Sequence, residues 1–427
     1  MKKTFVAAAV LGALAGSAFA ADVTLYGVID TGLNYQNTKT TSDVDALKVD
    51  SKNAFTMKAG QSAGSRWGLK GTEDLGNGYK VGFVLENGFD SDTGVLGNDG
   101  RMFGREANLY VTSDFGTLSF GRVGALTSGA GSYDLMKYTP FGSGWSASAT
   151  KANFWLGDRD RMDNTVTYVT PSFAGVKVYA QYSFARKGAE TAGNERQNDR
   201  YVALGAKYDN GPISAALVVD SVLHNYASKN DKDSLGVTLG ASYDFEVVKL
   251  FAMGQYGKHE TKMGFSSADG AAAYGKYAAS AVEADLKQDF ADLSDFTSTT
   301  SVTKDQGWKG YTAALGATAP VMGGTVYAQV NYLDAETQST IAGEMSGTFV
   351  SEGQKYEYDG YEGTMEKLEA KNWGIAVGYA YPFSKRTSVY TYASYNQLKL
   401  TGTVDADTKG SLKNKVTEVG FGLKHSF

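Results

Sequence analysis

Val416-Thr417-Glu418-Val419-Gly420-Phe421-Gly422-Leu423-Lys424-His425-Ser426-Phe427 closes the chain, and its side chains alternate. Val419, Phe421, Leu423 and Phe427 are apolar, whereas Glu418, Gly420, Gly422, Lys424 and Ser426 are small or polar. A period of two belongs to a strand whose successive side chains point to opposite faces. The segment from Val23 repeats it, with Val23, Leu25, Gly27, Ile29, Leu33 and Tyr35 on one face against Thr24, Tyr26, Asp30 and Asn34 on the other. Segments of about ten alternating residues, separated by turn residues, are the signature of a membrane-spanning β-barrel.

Between these two ends, strands are expected near 64–73, 79–89, 105–113, 117–123, 163–171, 175–186, 199–208, 211–222, 234–245, 247–259, 309–319, 324–334, 372–381 and 386–397, which makes sixteen in all. Their connections sort by length. Short turns fall at Leu75–Gly78, Asp114–Gly116, Pro171–Gly175, Asp209–Gly211, Glu246, Pro320–Gly323 and Pro382–Lys385, with longer polar loops between them. Seven short turns and eight long loops put both termini on the short-turn side, which in a bacterial outer membrane is the periplasm. A soluble sandwich also alternates, but it needs a shared core rather than an outward apolar band. The expected fold is therefore all-β, a transmembrane antiparallel barrel of about sixteen strands. Residues 271–295 carry Tyr277, Ala281, Ala284, Leu286, Phe290 and Leu293 at roughly helical spacing, and read either as a short amphipathic helix or as an acidic loop. Residues 335–371 read as a solvated outer surface.

At the N-terminus, Lys2 and Lys3 precede an apolar run from Phe5 to about Gly16 and then Ala18-Phe19-Ala20. That is the pattern of a secretory signal, so residues 1–20 are expected to be cleaved and residues 21–427 to form one barrel domain. A buried N-terminal helix is the alternative. The run is too short to cross a bilayer as a helix, and no later segment is long and apolar enough. Without residues 1–20 the 41 basic side chains fall to 39 against 46 acidic ones. This acidic balance, without a basic stripe, speaks against a nucleic-acid partner. Proline is scarce, 5 of 427 residues, as paired strands require. The 27 tyrosines suit membrane interfaces, where the ring is apolar and the hydroxyl wet.

Enzymatic motifs are thin. His224, His259 and His425 lie far apart with no metal-ligand spacing, and neither a phosphate loop nor a nucleophile elbow is present. No catalytic residue, metal or cofactor is assigned. The informative polar feature is a set of cations near early strand ends: Arg66, Lys70, Arg105, Arg122 and Arg161. Arg66 and Lys70 share a parity opposite to that of Trp67 and Leu69, which turns both cations to the lumen if the apolar pair meets lipid. Strict alternation instead gives Arg122 the parity of Leu118 and Phe120, and Arg105 that of Leu109 and Val111. A bulge at Gly121 would release Arg122. Each arginine also admits a plainer reading, as a rim or lumen charge without a special role.

The connection 124–162 after Arg122 is long and rich in Gly, Ser and aromatic residues, among them Tyr133, Tyr138, Phe141, Trp145, Phe154 and Trp155. Loops of this length are usually functional or disordered, and the aromatics favour packing. The inside of a wide barrel is the place available.

Thr24-Leu25-Tyr26-Gly27-Val28-Ile29-Asp30, Ser65-Arg66-Trp67-Gly68-Leu69-Lys70-Gly71-Thr72-Glu73-Asp74-Leu75-Gly76, Gly116-Thr117-Leu118-Ser119-Phe120-Gly121-Arg122 and the terminal Phe427 together resemble the general diffusion porins of Gram-negative bacteria, especially those of β-proteobacteria. The resemblance implies a homotrimer of sixteen-stranded barrels, each with its long third loop folded into the lumen. It also implies an arginine cluster on the wall, carried here by Arg66, Arg122 and Arg161, with Arg105 at a basic position of some relatives. Thr139-Pro140-Phe141-Gly142-Ser143-Gly144 is similar to the family's constriction-loop stretch but lacks its glutamate; Asp134 is the nearest acid, and Lys137 adds a cation. Phe427 resembles the signal read by the outer-membrane assembly machinery, or is simply a buried terminal hydrophobe.

These readings converge on an outer-membrane protein that contacts lipid and passes small hydrophilic solutes and ions passively, with a mild anion preference. The competing reading is an adhesive or surface-binding barrel with a plugged lumen.

Overall fold

The computed structural model describes residues 23–42, 50–142, 145, 147, 149, 156–157, 159–190, 197–225, 232–261, 294–302, 307–338, 341–365, 367–403 and 409–427. Its first ten strands are β1 (Thr24–Ser42), β2 (Asp50–Ala59), β3 (Arg66–Gly76), β4 (Tyr79–Gly88), β5 (Glu106–Ser113), β6 (Gly116–Gly124), β7 (Arg161–Val169), β8 (Val176–Ser183), β9 (Arg200–Asn210) and β10 (Ile213–Leu223). There follow β11 (Leu235–Asp244), β12 (Lys249–Glu260), β13 (Ser294–Val302), β14 (Trp308–Val321), β15 (Gly324–Thr337), β16 (Ile341–Ser351), β17 (Gln354–Met365), β18 (Lys367–Pro382), β19 (Thr387–Thr403) and β20 (Lys409–Ser426).

Sixteen of these form one closed antiparallel barrel, because β1 pairs with β20 along one edge, from Val28↔Ser426 to Ser42↔Leu412, and with β3 along the other, from Thr24↔Lys70 to Val28↔Arg66. Closure leaves no strand edge to be satisfied by lipid. All seven short turns lie where the sequence puts them, and the two chain ends share their side of the barrel. The alternation also holds. Leu204 (60% exposed) and Leu315 (61%) stand on the outer face, while Asp30 (0%) and Glu418 (1%) are buried on the other. An outward apolar band over a polar interior is stable only where lipid replaces water outside.

The four remaining strands lie in stretches that the sequence reads as long polar loops. β2 pairs with the far half of β1, from Thr31↔Ala59 to Thr40↔Asp50. Residues 60–65 then turn under it before β3 begins, and Asp30 anchors them by accepting the N–H groups of Ser62 (2.9 Å) and Ala63 (2.6 Å). Within 335–371, β16 and β17 form a hairpin, and β13 pairs with β16 to make a separate three-stranded sheet. Strands of mixed polarity, without a clean apolar parity, escape a search for lipid-facing alternation. The helix considered at 271–295 lies outside the described residues, apart from Ser294 and Asp295, which open β13. The leader expected at 1–20 lies outside them too.

The described parts of the β6–β7 connection pack against the buried face of the wall. Leu126, Leu135, Met136 and Tyr138 share one apolar cluster with Tyr201, Ala203, Ala216, Val218, Met253 and Ala314. Phe141 and Trp145 share another with Tyr390 and Tyr392, Trp145 meeting Tyr390 edge-on at 5.3 Å. Wall glycines make the room. A side chain at Gly205 would run into Leu135, at Gly240 into Tyr138, at Gly316 into Pro140 and at Gly378 into Phe141.

Candidate functional site

On β3, Arg66 and Lys70 occupy the face opposite Trp67 and Leu69, as parity requires. Gly68 between them faces Glu86 of β4 across the ladder. Having no side chain, Gly68 lets the Tyr26 ring lie over it and donate its hydroxyl to Glu86 at 3.0 Å. Glu86 is shared: Arg105 Nε lies 2.6 Å from one carboxylate oxygen and Arg66 Nε 3.6 Å from the other. Lys70 sets its ammonium 5.2 Å from the centre of the Tyr26 ring.

Arg105 joins this group because β5 starts one residue later, at Glu106, so the parity of Leu109 does not bind it. Arg122 joins a second group through a bulge. The β6–β7 register shifts between Gly121 and Val123, and Gly121 adopts φ 133°, which a residue with a side chain rarely adopts. Beyond the bulge Val123 is buried in the apolar cluster, and Arg122 reaches Asp163 of β7 at 2.6 Å and the Gly104 carbonyl at 2.8 Å. Asp163 also holds Arg101 at 2.7 Å and accepts the Gly188 N–H at 2.8 Å. Arg161 opens β7 and lies 3.3 Å from Asp160.

The three residues expected on the facing segment are placed differently from one another. Asp134 turns into the segment itself, one carboxylate oxygen accepting the N–H groups of Gly129 and Met136, each at 3.0 Å. Burial pushes its carboxyl up to about 6. Asp134 therefore serves the segment's own turn. Lys137 is exposed, and Phe141 is buried against Trp145 at 5.2 Å, ring edge to face. Phe427 pairs its backbone with Gly27 in both directions, at 3.0 and 3.1 Å, and covers it with its ring. It is 43% exposed, so it is not the buried terminal hydrophobe of the alternative reading.

Sequence reasoning missed the acids. Glu86 and Asp163 each sit on the polar parity of a recognised strand, Glu86 between Leu85 and Asn87 and Asp163 in line with Thr165 and Thr167, so parity could have found them. It also missed a buried clasp. Arg159 lies 2.7 Å from Asp220 of β10 and bonds Glu260 of β12, while Tyr201 donates to Asp220 at 3.0 Å. Thr127, at the other end of the same connection, donates to Asp220 at 2.8 Å. The signal here is an acid within Leu217-Val218-Val219-Asp220-Ser221-Val222, on the parity that carries Ala216 and Val218 inward.

Comparison with known proteins agrees with this architecture. The family model described as Gram-negative porin matches residues 7–403. An outer membrane porin protein of Bordetella pertussis is 33% identical over 461 residues, and outer membrane porin protein 32 of Delftia acidovorans 28% over 438, each alignment covering 100% of both chains. Among solved structures, the anion-selective porin from Comamonas acidovorans is 25% identical, with a TM-score of 0.57 over 95% of this chain and 100% of that one. The Bordetella and Delftia relatives, matched along their whole length, are named porins, which favours the channel over the adhesive barrel with a plugged lumen. With its lipid-facing outside, its charged inside and a family match over nearly all its length, the chain belongs to the Gram-negative porins and is a channel of the cell outer membrane.

Proposed function

We propose that the described part of the 124–162 connection narrows the channel, that the channel passes small hydrophilic solutes and ions without catalysis, and that it mildly prefers anions. Sixteen strands leave an aqueous lumen rather than a filled core, and selectivity then comes from width and from rings of charge. The observation that carries the anion preference is a ratio. Two arginines share one carboxylate at Arg66–Glu86–Arg105, and again at Arg101–Asp163–Arg122, so each group keeps one positive charge. Lys70 adds a third. Asp134 belongs to neither group, one of its oxygens being held by its own turn. A relative of known structure that is anion-selective supports the same sign.

The remaining parts of the reading follow the family. Residues 1–20 act as an export leader and are removed, the mature barrel assembles as a homotrimer in contact with outer-membrane lipid, and Phe427 addresses the chain to the assembly machinery. Reversal potentials in planar bilayers under a salt gradient test the selectivity: anion preference is expected, and clear cation preference would overturn it.

A further inference from the structure

Four lysines stand together on the outer face of the wall, at its long-loop end. β19, β20 and β1 follow one another around the barrel, and their registers set Lys399 directly opposite Lys413 and Lys415 directly opposite Lys39. Lys413 and Lys415 share the parity of Val419, Phe421 and Leu423, and Lys39 that of Leu33 and Tyr35, all of which are exposed on the outer face. Lys399 shares the parity of Tyr395, opposite to that of the buried Tyr392. Partners across a ladder lie about 5 Å apart and alternate residues of one strand about 7 Å, so four ammonium groups issue from one small patch.

Like charges directly opposite each other destabilise a sheet. Here two such pairs sit side by side, and the outward-facing acids of the neighbouring strands are already committed. Lys371 of β18, which faces Lys399 across the ladder, is paired with Asp334 at 3.5 Å, and Lys367 holds Glu336 at 2.6 Å and Glu369 at 3.0 Å. On the other flank β2 adds no acid, since Ser51, Asn53, Phe55 and Met57 share its outward parity. None of the four lysines makes an ion pair among the described residues.

The depth of the patch indicates what covers it. Trp373, Gln397, Lys415 and Lys39 lie in one cross-strand row, and the rings of Trp373 and Tyr395 meet at 5.1 Å. Trp and Tyr gather at the boundary between hydrocarbon and water. The lysines therefore begin where the hydrocarbon ends, on the side away from the chain termini, level with the headgroups of the outer leaflet. A lysine stem lies along apolar surface while its ammonium reaches the polar layer.

We infer that this patch binds a phosphorylated lipid headgroup of the outer leaflet, one that carries at least two phosphates. A single phosphate serves one opposed pair and leaves the other repelling, whereas two give each pair a counter-ion. The inference rests on the reading that the mature barrel contacts outer-membrane lipid, and deepens it by naming the headgroup and its place on the wall.

Lys39→Gln, Lys399→Gln, Lys413→Gln and Lys415→Gln, combined in the full mature chain in a neutral detergent, test it. The probes are lipid A with two phosphates, lipid A with one, and free pyrophosphate. Without lipid the quadruple variant is expected to unfold at a higher temperature than the parent, because the opposed like charges are gone. The lipid with two phosphates is expected to raise the parent's unfolding temperature, the lipid with one phosphate to raise it less, and pyrophosphate to leave it. The variant should bind the lipid with two phosphates more weakly by more than about tenfold. Lys385→Gln, on the opposite rim, should bind it as the parent does. Equal affinity in parent and quadruple variant, or an equal effect of free pyrophosphate, would overturn the patch as a lipid site. So would a variant that changes its oligomeric state but not its lipid binding, since the patch would then be a contact between copies. A parent that does not insert into phosphatidylcholine vesicles would overturn the lipid-contact reading itself, and the patch with it.

Discussion

Arg159 and Asp220 meet as a buried fork, with Nε 3.0 Å and Nη2 2.7 Å from the same carboxylate oxygen. The other oxygen of Asp220 takes the hydroxyls of Thr127 and Tyr201, so both ends of the β6–β7 connection are tied to one side chain. Removing one partner of a buried pair strands the other charge, at a cost of about 3–5 kcal/mol. Arg159→Met leaves Asp220 and Glu260 as close uncompensated acids. The expected result is a channel with frequent brief closures and a lowered unfolding temperature. Single-channel traces as quiet as the parent's would show that the clasp does not hold the segment.

Glu86 and the arginines around it should move selectivity in opposite directions. Glu86→Gln takes the Arg66–Arg105 group from one net positive charge to two, and should strengthen anion preference. Arg66→Ala with Arg122→Ala should weaken it and raise conductance, since two long side chains leave the passage. The two reversal potentials, measured in the same salt gradient, should fall on either side of the parent value. Shifts of the same sign would exclude Glu86 as the moderating charge.

Asp134 predicts a pH dependence of definite sign. Its folded carboxyl is raised from 3.8 to about 6 by burial, so the folded state binds the proton more tightly than the unfolded chain. Its contribution is most favourable below about pH 4, falls as pH rises through 4 to 6, and is constant above that. The span is on the order of 3 kcal/mol. Asp134→Asn should flatten this part of the profile. Thermal unfolding in detergent at pH 4, 5, 6 and 7 measures it, and equal slopes for parent and variant would rule the side chain out.

Phe427 is tested by deletion. Its ring covers Gly27 at the seam where the barrel closes, so loss of the residue removes both a packing contact and the proposed assembly signal. The deleted chain is expected to accumulate in the periplasm. Phe427→Tyr keeps a terminal ring and should restore insertion, whereas Phe427→Ala should not. Normal insertion of the Ala variant would deny the ring any part in assembly.

The barrel was legible because lipid outside and water inside impose a period of two on every spanning strand, and Val419, Phe421 and Leu423 display it without interruption. Arg66 and Lys70 could be placed from the same rule. Arg105 and Arg122 could not, because one lies just before its strand and the other just after a bulge, where alternation is reset. Asp134 is a different case. Position on the β6–β7 connection does not reveal whether an acid bonds its own backbone, and here it takes two N–H groups of the turn. The clasp was hidden because Arg159, Asp220 and Glu260 lie far apart in sequence and come together only in the folded chain.

The wall glycines beside that connection carry one more consequence. Gly205, Gly240, Gly316 and Gly378 belong to four different strands, yet each is matched to a particular side chain of the segment: Leu135, Tyr138, Pro140 and Phe141 in turn. The wall is thus a mould of the segment, cast in absent side chains. Grafting a foreign segment onto this barrel, or this segment onto another, would fail to seat unless those four positions travelled with it, so the unit of exchange between such channels is the segment together with its imprint.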